Sequence, residues 1–255
     1  MSSSAVRASC DVVAEVRHGS TRCTTMRSSP PLTFRSTPDA LYLVGSAAGP
    51  LGGDELQLRV RVEAGATLVV RSAASTMAMP GVTQSPSHLT LHIEVAAGAT
   101  LHWLPEPLLL VAGCDHRVTT RVQLDPSAEL VLRDRVVCGR YGEVSGSLLH
   151  RMRVDVGDEP LVRNDLQIGP RWPGADGPSG RAEARAVAQT LLVGARDGTA
   201  AAYDAAACPG GRRARMPLRA PFGREAVLIS ELSDRALSSL GSEGRRASLR
   251  QRTVG

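Results

Sequence analysis

Hydrophobic and polar residues alternate along two stretches of the chain, Leu56, Leu58, Val60 and Val62 in one and Leu89, Leu91, Ile93 and Val95 in the other. A period of two places one row of side chains on each face, so each stretch predicts a half-buried strand. Both strands run into the same turn. Val62-Glu-Ala-Gly-Ala-Thr-Leu68 recurs as Val95-Ala-Ala-Gly-Ala-Thr-Leu101, and more loosely as Leu124-Asp-Pro-Ser-Ala-Glu-Leu130, with a degenerate fourth copy at Val156-Gly-Asp-Glu-Pro-Leu161. Strand, turn and strand repeating about every thirty residues predicts stacked hairpins or the coils of a β-solenoid, in which each unit buries its apolar face only against its neighbours. An ordinary antiparallel sandwich whose hairpins share turn chemistry satisfies the same pattern.

The pattern changes after Gly169. GPRWPGADGPSG is dense in Gly and Pro and predicts a loop. Ala182 to Val193 is Ala-rich enough for a helix, although Thr190 to Val193 also suits a strand. The basic stretch from Cys208 to Gly223 reads as irregular, Val227 to Ile229 as a strand, and Ser233-Asp234 as the N-cap of a short helix closing near Gly241. The expectation is therefore a mainly β protein, a stacked-hairpin or solenoid-like sheet body with a few short C-terminal helices. It divides into an N-terminal extension or first strands (1–30), a β body (31–210) and a basic C-terminal segment (211–255).

Composition narrows the function. The 255 residues are 42% hydrophobic and 22% charged, which suits a globular protein and excludes disorder. The longest aliphatic run, Leu108 to Ala112, is far too short for a membrane span, and the N-terminus lacks an apolar signal core. Five widely spaced cysteines without a CxxC pair read as reduced thiols of a cytoplasmic protein. All 30 basic residues are Arg, and residues 211–255 carry a charge of +6, leaving −1 on the rest. That tail could attract nucleic acid, but only seven aromatic residues are available for stacking, so a solvated tail or an acidic partner fits better. No G-x-S-x-G elbow or phosphate loop occurs.

The segment from Leu41 to Leu56 is a Tyr-containing strand running into a Gly-rich turn that ends in Gly52-Gly53-Asp54. Together with Pro31-Leu32, the Ala-Gly-Ala-Thr-Leu turn, Ala74-Ser75, Trp103-Leu104-Pro105-Glu106, Gly139-Arg140-Tyr141-Gly142-Glu143 and Glu159-Pro160-Leu161, it resembles the UreD (UreH) family of urease accessory proteins over most of residues 31–195. The resemblance implies a non-enzymatic, mostly β scaffold in the cytoplasm. It would bind the helical accessory protein UreF and the GTPase UreG, contact apo-urease, and give nickel an internal passage, with no tightly bound cofactor beyond transient Ni(II). The chain departs from many relatives at Thr76-Met77-Ala78-Met79, where they carry a Lys, aromatic and Arg cluster, and at Asn164, an acidic position in some relatives, beside which Asp165 stands.

Transit requires sites that let a cation enter and leave, which a string of carboxylates and waters does better than a closed Cys/His cage. Motif position makes Asp54, Glu106, Glu143 and Asp165 the candidate transit carboxylates. Three of them have a structural alternative: a turn former for Asp54, a solvated strand end or amide cap for Glu106 and Glu143. Cys114 and His116, flanking Asp115 beside the Ala112-Gly113 turn, form a weaker candidate pair. A β-rich carbohydrate-active or carbohydrate-binding protein is the alternative function, with Asp54 and Glu143 as the conceivable carboxylate pair, against which the scarcity of aromatics argues.

Overall fold

The computed structural model describes residues 5–178, 180–182, 184–194 and 212–233. Two sheets face each other. In the first, β1 (Arg7–Arg17), β5 (Glu55–Val62), β8 (Ser87–Val95), β11 (Asp115–Leu124) and β13 (Ser147–Val156) run parallel side by side, closed at the edges by antiparallel β2 (Ser20–Arg27) and β14 (Glu159–Ile168). In the second, β4 (Leu41–Gly45), β6 (Thr67–Ser72), β9 (Thr100–Leu104) and β12 (Glu129–Cys138) are parallel. β3 (Leu32–Ser36) closes one edge; β15 (Ala186–Val193), β17 (Glu225–Ser233) and β16 (Arg212–Arg219) continue antiparallel on the other. Short strands β7 (Thr76–Ala78) and β10 (Leu108–Leu110) pair with each other, and β10 joins β12.

The repeated turns are therefore arches. Each carries the chain from a strand of the first sheet to a strand of the second, and successive arches stack in parallel, which decides for solenoid-like coiling over an antiparallel sandwich. Leu58, Val60 and Val62 lie level with Leu91, Ile93 and Val95, and the last two of these with Val122 and Leu124. Within each arch one backbone bond closes the turn, from Ala66 N to Glu63 O, Ala99 N to Ala96 O and Ala128 N to Asp125 O. Between arches, Ala96 N donates to Val62 O and Asp125 N to Val95 O, so the stack is held by main chain as well as by packing. The three alanines, Ala66, Ala99 and Ala128, are sealed inside the bends. Gly65 and Gly98 supply the positive φ (+70° and +62°) that the turn needs. The fourth copy differs: Gly157 and Asp158 join β13 to β14 as an antiparallel hairpin within the first sheet, which ends the stack.

The expected C-terminal helices are corrected. The described residues contain no α-helix, only a 3₁₀ turn at Pro221–Gly223. The Ala-rich segment is strand β15, every residue of it buried, and a strand wet on neither face loses the alternation that separates strand from helix. The basic stretch expected to be irregular holds β16, paired to β17 along its whole length. Ser233 ends β17, and the proposed helix beyond it lies outside the described residues. None of the described helical segments is long and apolar enough to cross a membrane.

Candidate functional site

The sequence candidates do not converge. Asp54 is 2% exposed, and its carboxylate accepts the backbone N–H of Val6 on Oδ1 (2.9 Å) and of Leu51 on Oδ2 (2.8 Å). Its own N–H donates to Leu51 O and its carbonyl accepts His88 N–H. The residue thus ties the N-terminal strand to the Gly-rich turn, whose Gly52 is pressed against Gly81 so closely that a Cβ would lie 2.6 Å from Gly81 N. Glu143 faces its neighbour Arg140, which reaches it with Nε, Nη2 and the backbone N–H, and these bonds hold its carboxyl down to about 2. Glu106 receives the nearly buried Arg135 guanidinium at 3.3 Å. Asp165 lies on the outer face between Arg153 (2.6 Å) and Arg151 (3.5 Å).

Cys114, Asp115 and His116 also part company. The Cys114 thiol packs into the core, its pKa raised to about 11 chiefly by burial, while Asp115 pairs with Arg171 and Arg117. His116, fully buried one position along the strand, shares a hydrogen bond with Ser87 Oγ through Nδ1 (2.8 Å). Desolvation, with His150 and His88 nearby, pushes its pKa down to about 3, so the ring is neutral, and its Nε2 has no partner. Among the described residues no group of three or more His, Cys, Asp or Glu side chains is placed to hold a metal ion.

What the fold does bring together is a polar layer across the interior. Asp134 has the same phase on β12 as Leu132 and Val136, which belong to two separate hydrophobic clusters, one filling the arched half and one lying beyond it. Between these clusters His150 Nε2 shares a hydrogen bond with Thr120 Oγ1 (3.0 Å) and lies 3.8 Å from Asp134 Oδ2. Asp134 Oδ2 is sealed and has no hydrogen-bond partner; burial raises its pKa and the nearby His150 partly offsets that. The register sets Asp134 beside Gln189 and Gln189 beside Ser230. Asn164 Nδ2 donates to Gln189 Oε1 (3.1 Å), joining the two sheets. A row of this kind, with a half-buried carboxylate whose inner oxygen lacks a hydrogen bond, is costly in a core that aliphatic side chains could fill.

The whole arrangement, from Val6 to beyond β17, falls inside a match to the family model described as UreD urease accessory protein, over residues 6–237. The urease accessory protein UreD of Frankia alni is 42% identical over 214 residues, covering 78% of this chain and 70% of the relative. UreD of Parafrankia sp. is 38% identical, covering 91% and 85%, and that of Streptomyces avermitilis 36% identical, covering 94% and 100%. The chain belongs to the UreD family.

In this UreD-family chain no motif marks the polar layer: Asp134, Thr120 and Gln189 belong to none, His150 is one of several histidines scattered along the sequence, and Asn164 stands out only as a departure from some relatives. A signal existed: in Leu130, Leu132, Asp134, Val136, Cys138 and in Leu148, His150, Met152, Val154 a polar residue occupies a slot whose phase is otherwise apolar. The structure turns Asn164 inward to Gln189 and Asp165 outward to arginines, so the carboxylate that the layer contains is Asp134.

Proposed function

We propose that the chain is a scaffold of urease maturation that works with a UreF-like helical protein and a UreG-like GTPase to deliver nickel to apo-urease, and that it is not itself an enzyme. The observation that carries this reading is the polar layer inside a body whose relatives are named urease accessory proteins. Asp134, His150, Thr120, Gln189 and Asn164 offer carboxylate, imidazole, hydroxyl and amide groups in single file, weak ligands of the kind a passing Ni(II) exchanges. Asp54, with both oxygens engaged by backbone amides, is left out of this route; Glu106, paired with Arg135 near the same strand, stays at its margin. The carbohydrate reading is weaker: Trp103 and Phe34 are core residues, and the exposed rings are far apart, Phe222 beside Gly157 at the arches and Tyr141 on the loop after β12 at the other end.

Asp134→Leu tests the proposal. Replacing both members of a buried ionic contact by aliphatic groups is often neutral or stabilising, whereas removing one leaves the other uncompensated; here His150 keeps its bond to Thr120 when Asp134 is exchanged. The variant is expected to fold and to keep its partners, with a change in Tm read alongside, while urease in a strain relying on it loses nickel and activity. Full urease activation by a folded Asp134→Leu protein would remove the layer from the route.

A further inference from the structure

On the outer face of the first sheet, opposite charges face each other across neighbouring strands, an arrangement that stabilises a sheet. Arg7 lies level with Glu55 (3.0 Å), Arg61 with Glu94 (2.8 Å) and Arg151 with Asp165 (3.5 Å). The row between the last two pairs is built otherwise. Arg59 on β5 is level with His92 on β8, His92 with Arg121 on β11, Arg121 with Arg153 on β13, and Arg153 with Arg163 on β14. Five neighbouring strands thus set basic side chains at one level, away from the core, over about 19 Å at the usual strand spacing.

The carboxylates near this row are already shared out. Asp11 pairs with Arg59 (3.2 Å), Asp155 with Arg163, and Asp165 divides itself between Arg153 and Arg151. Arg121, at the centre, is exposed and makes no hydrogen bond or ion pair among the described residues. After burial, Arg121 and Arg59 are what hold the His92 pKa below its ordinary value, so the ring between them is uncharged at neutral pH. Like charges directly opposite one another cost stability, and the rows on either side avoid them. Strand pairing does not call for the arrangement; an anion laid along the row offsets it.

We propose that this row binds an acidic segment of a partner protein, lying extended across the strands with its carboxylates on Arg121 and the flanking Arg59 and Arg153. Alternate side chains of an extended segment recur about every 6.8 Å, so about three carboxylates fit the span. The planar guanidinium fork matches a carboxylate. A protein segment suits the face better than nucleic acid does. Asp11, Asp155, Asp165 and Glu94 border the row and repel a backbone charged at every unit, whereas a segment of mixed composition places its acids only where the arginines stand. No Phe, Tyr or Trp lies on the strands of this sheet to stack a base.

The probe is a fluorescein-labelled peptide of alternating Glu and Ser, long enough to span the row, titrated against the full chain at low salt by fluorescence anisotropy. A single-stranded oligothymidylate of the same length is titrated beside it. Arg121→Gln is expected to weaken peptide binding about fivefold, with a shallower salt dependence, and to leave Tm unchanged or slightly raised. Arg22→Gln, which removes the same charge from the exposed edge strand β2, is expected to change the affinity by less than about twofold. Equal losses in the two variants would mean attraction to net charge alone and would overturn the site, as would a wild-type chain that does not bind the peptide. Tighter binding of the oligothymidylate through Arg121 would assign the row to nucleic acid and overturn the proposal. A clear fall in Tm for Arg121→Gln would make the row part of the fold's own stability and overturn it as well.

Discussion

The arched half of the molecule and the layer beyond it are built from the same strands but by opposite rules. In the arched half the inward positions are apolar, mostly Val, Leu, Ile and Ala with Cys10, Phe34, Trp103 and Met152 among them, the three turns repeat one backbone pattern, and the apolar rows of neighbouring strands lie in register. One rung further along the same strands, the inward slots hold Thr120, Asp134, His150, Asn164 and Gln189, and a second apolar cluster resumes around Leu110, Val136 and Leu148. The first region spends its residues on stability. The second breaks the apolar pattern in mid-core, on several strands at once, which packing alone does not call for.

The largest effect should come from breaking the arched half. Leu130 is fully buried between Leu101 and Val193, and Leu130→Ala leaves a cavity beneath the third arch. A loss of about 3 kcal/mol is expected, within the range for buried leucines, measured by denaturant unfolding. A loss below about 1 kcal/mol would mean that the stack relaxes to fill the space.

Asp54 sharpens the contrast from the other side, as a buried carboxylate that is fully bonded. Asn keeps its shape but sets an NH2 group against the N–H of either Val6 or Leu51, donor facing donor. Asp54→Asn should therefore cost about 1–3 kcal/mol and Asp54→Leu more, whereas Asp134→Leu, whose Oδ2 accepts no hydrogen bond, should cost less than Asp54→Leu. Equal Tm values for Asp54→Asn and wild type would show that the two bonds carry no weight.

Much of the first region could be read from the chain, and little of the second. Alternation at Leu56–Val62 and Leu89–Val95 and the repeated turn sufficed for β-structure and stacking, because both are local patterns. That the turn is an arch between sheets, not a hairpin within one, depends on which neighbour each strand pairs with. β15 was ambiguous because a strand buried on both faces carries no period, and β16 because Arg212, Arg213, Arg215 and Arg219 on an edge strand look like a solvated loop. The motif carboxylates Asp54 and Glu143 are engaged in holding turns, which a motif does not reveal. Asp134 and His150 belong to no motif; only their phase against apolar neighbours marks them.

His116, beyond the polar layer and past Val118 on β11, supplies a pH test. Its folded pKa, lowered from the ordinary 6.5 to about 3, means that the unfolded chain takes up a proton first as pH falls. Its stabilising contribution is complete above pH 6.5 and is lost progressively below it, down to about 3. By pH 5 the loss should reach about 2 kcal/mol. Asp134, whose pKa is raised, works in the opposite sense, since its folded form takes up a proton before the unfolded one. Unfolding measured between pH 7.5 and 5 should show a steeper slope for wild type than for His116→Gln; parallel curves would mean that the ring finds a way to charge inside the fold.

The smallest effect is expected at Asp165. Its carboxylate is 41% exposed and its partners Arg153 and Arg151 are 33% and 53% exposed, so solvent screens both pairs. Asp165→Asn should change stability by no more than about 0.5 kcal/mol, as exposed ion pairs typically do. That near-silence makes it a clean probe of route against surface. If nickel keeps to the interior layer, Asp165→Asn should leave urease activation at the wild-type level, because Asp165 faces away from Asn164 and Gln189 on the other side of the same strand. Activation lost in a variant of unchanged Tm would place the outer face of β14 on the path, and would shift the contrast between the two regions from the interior of the sandwich to its edge.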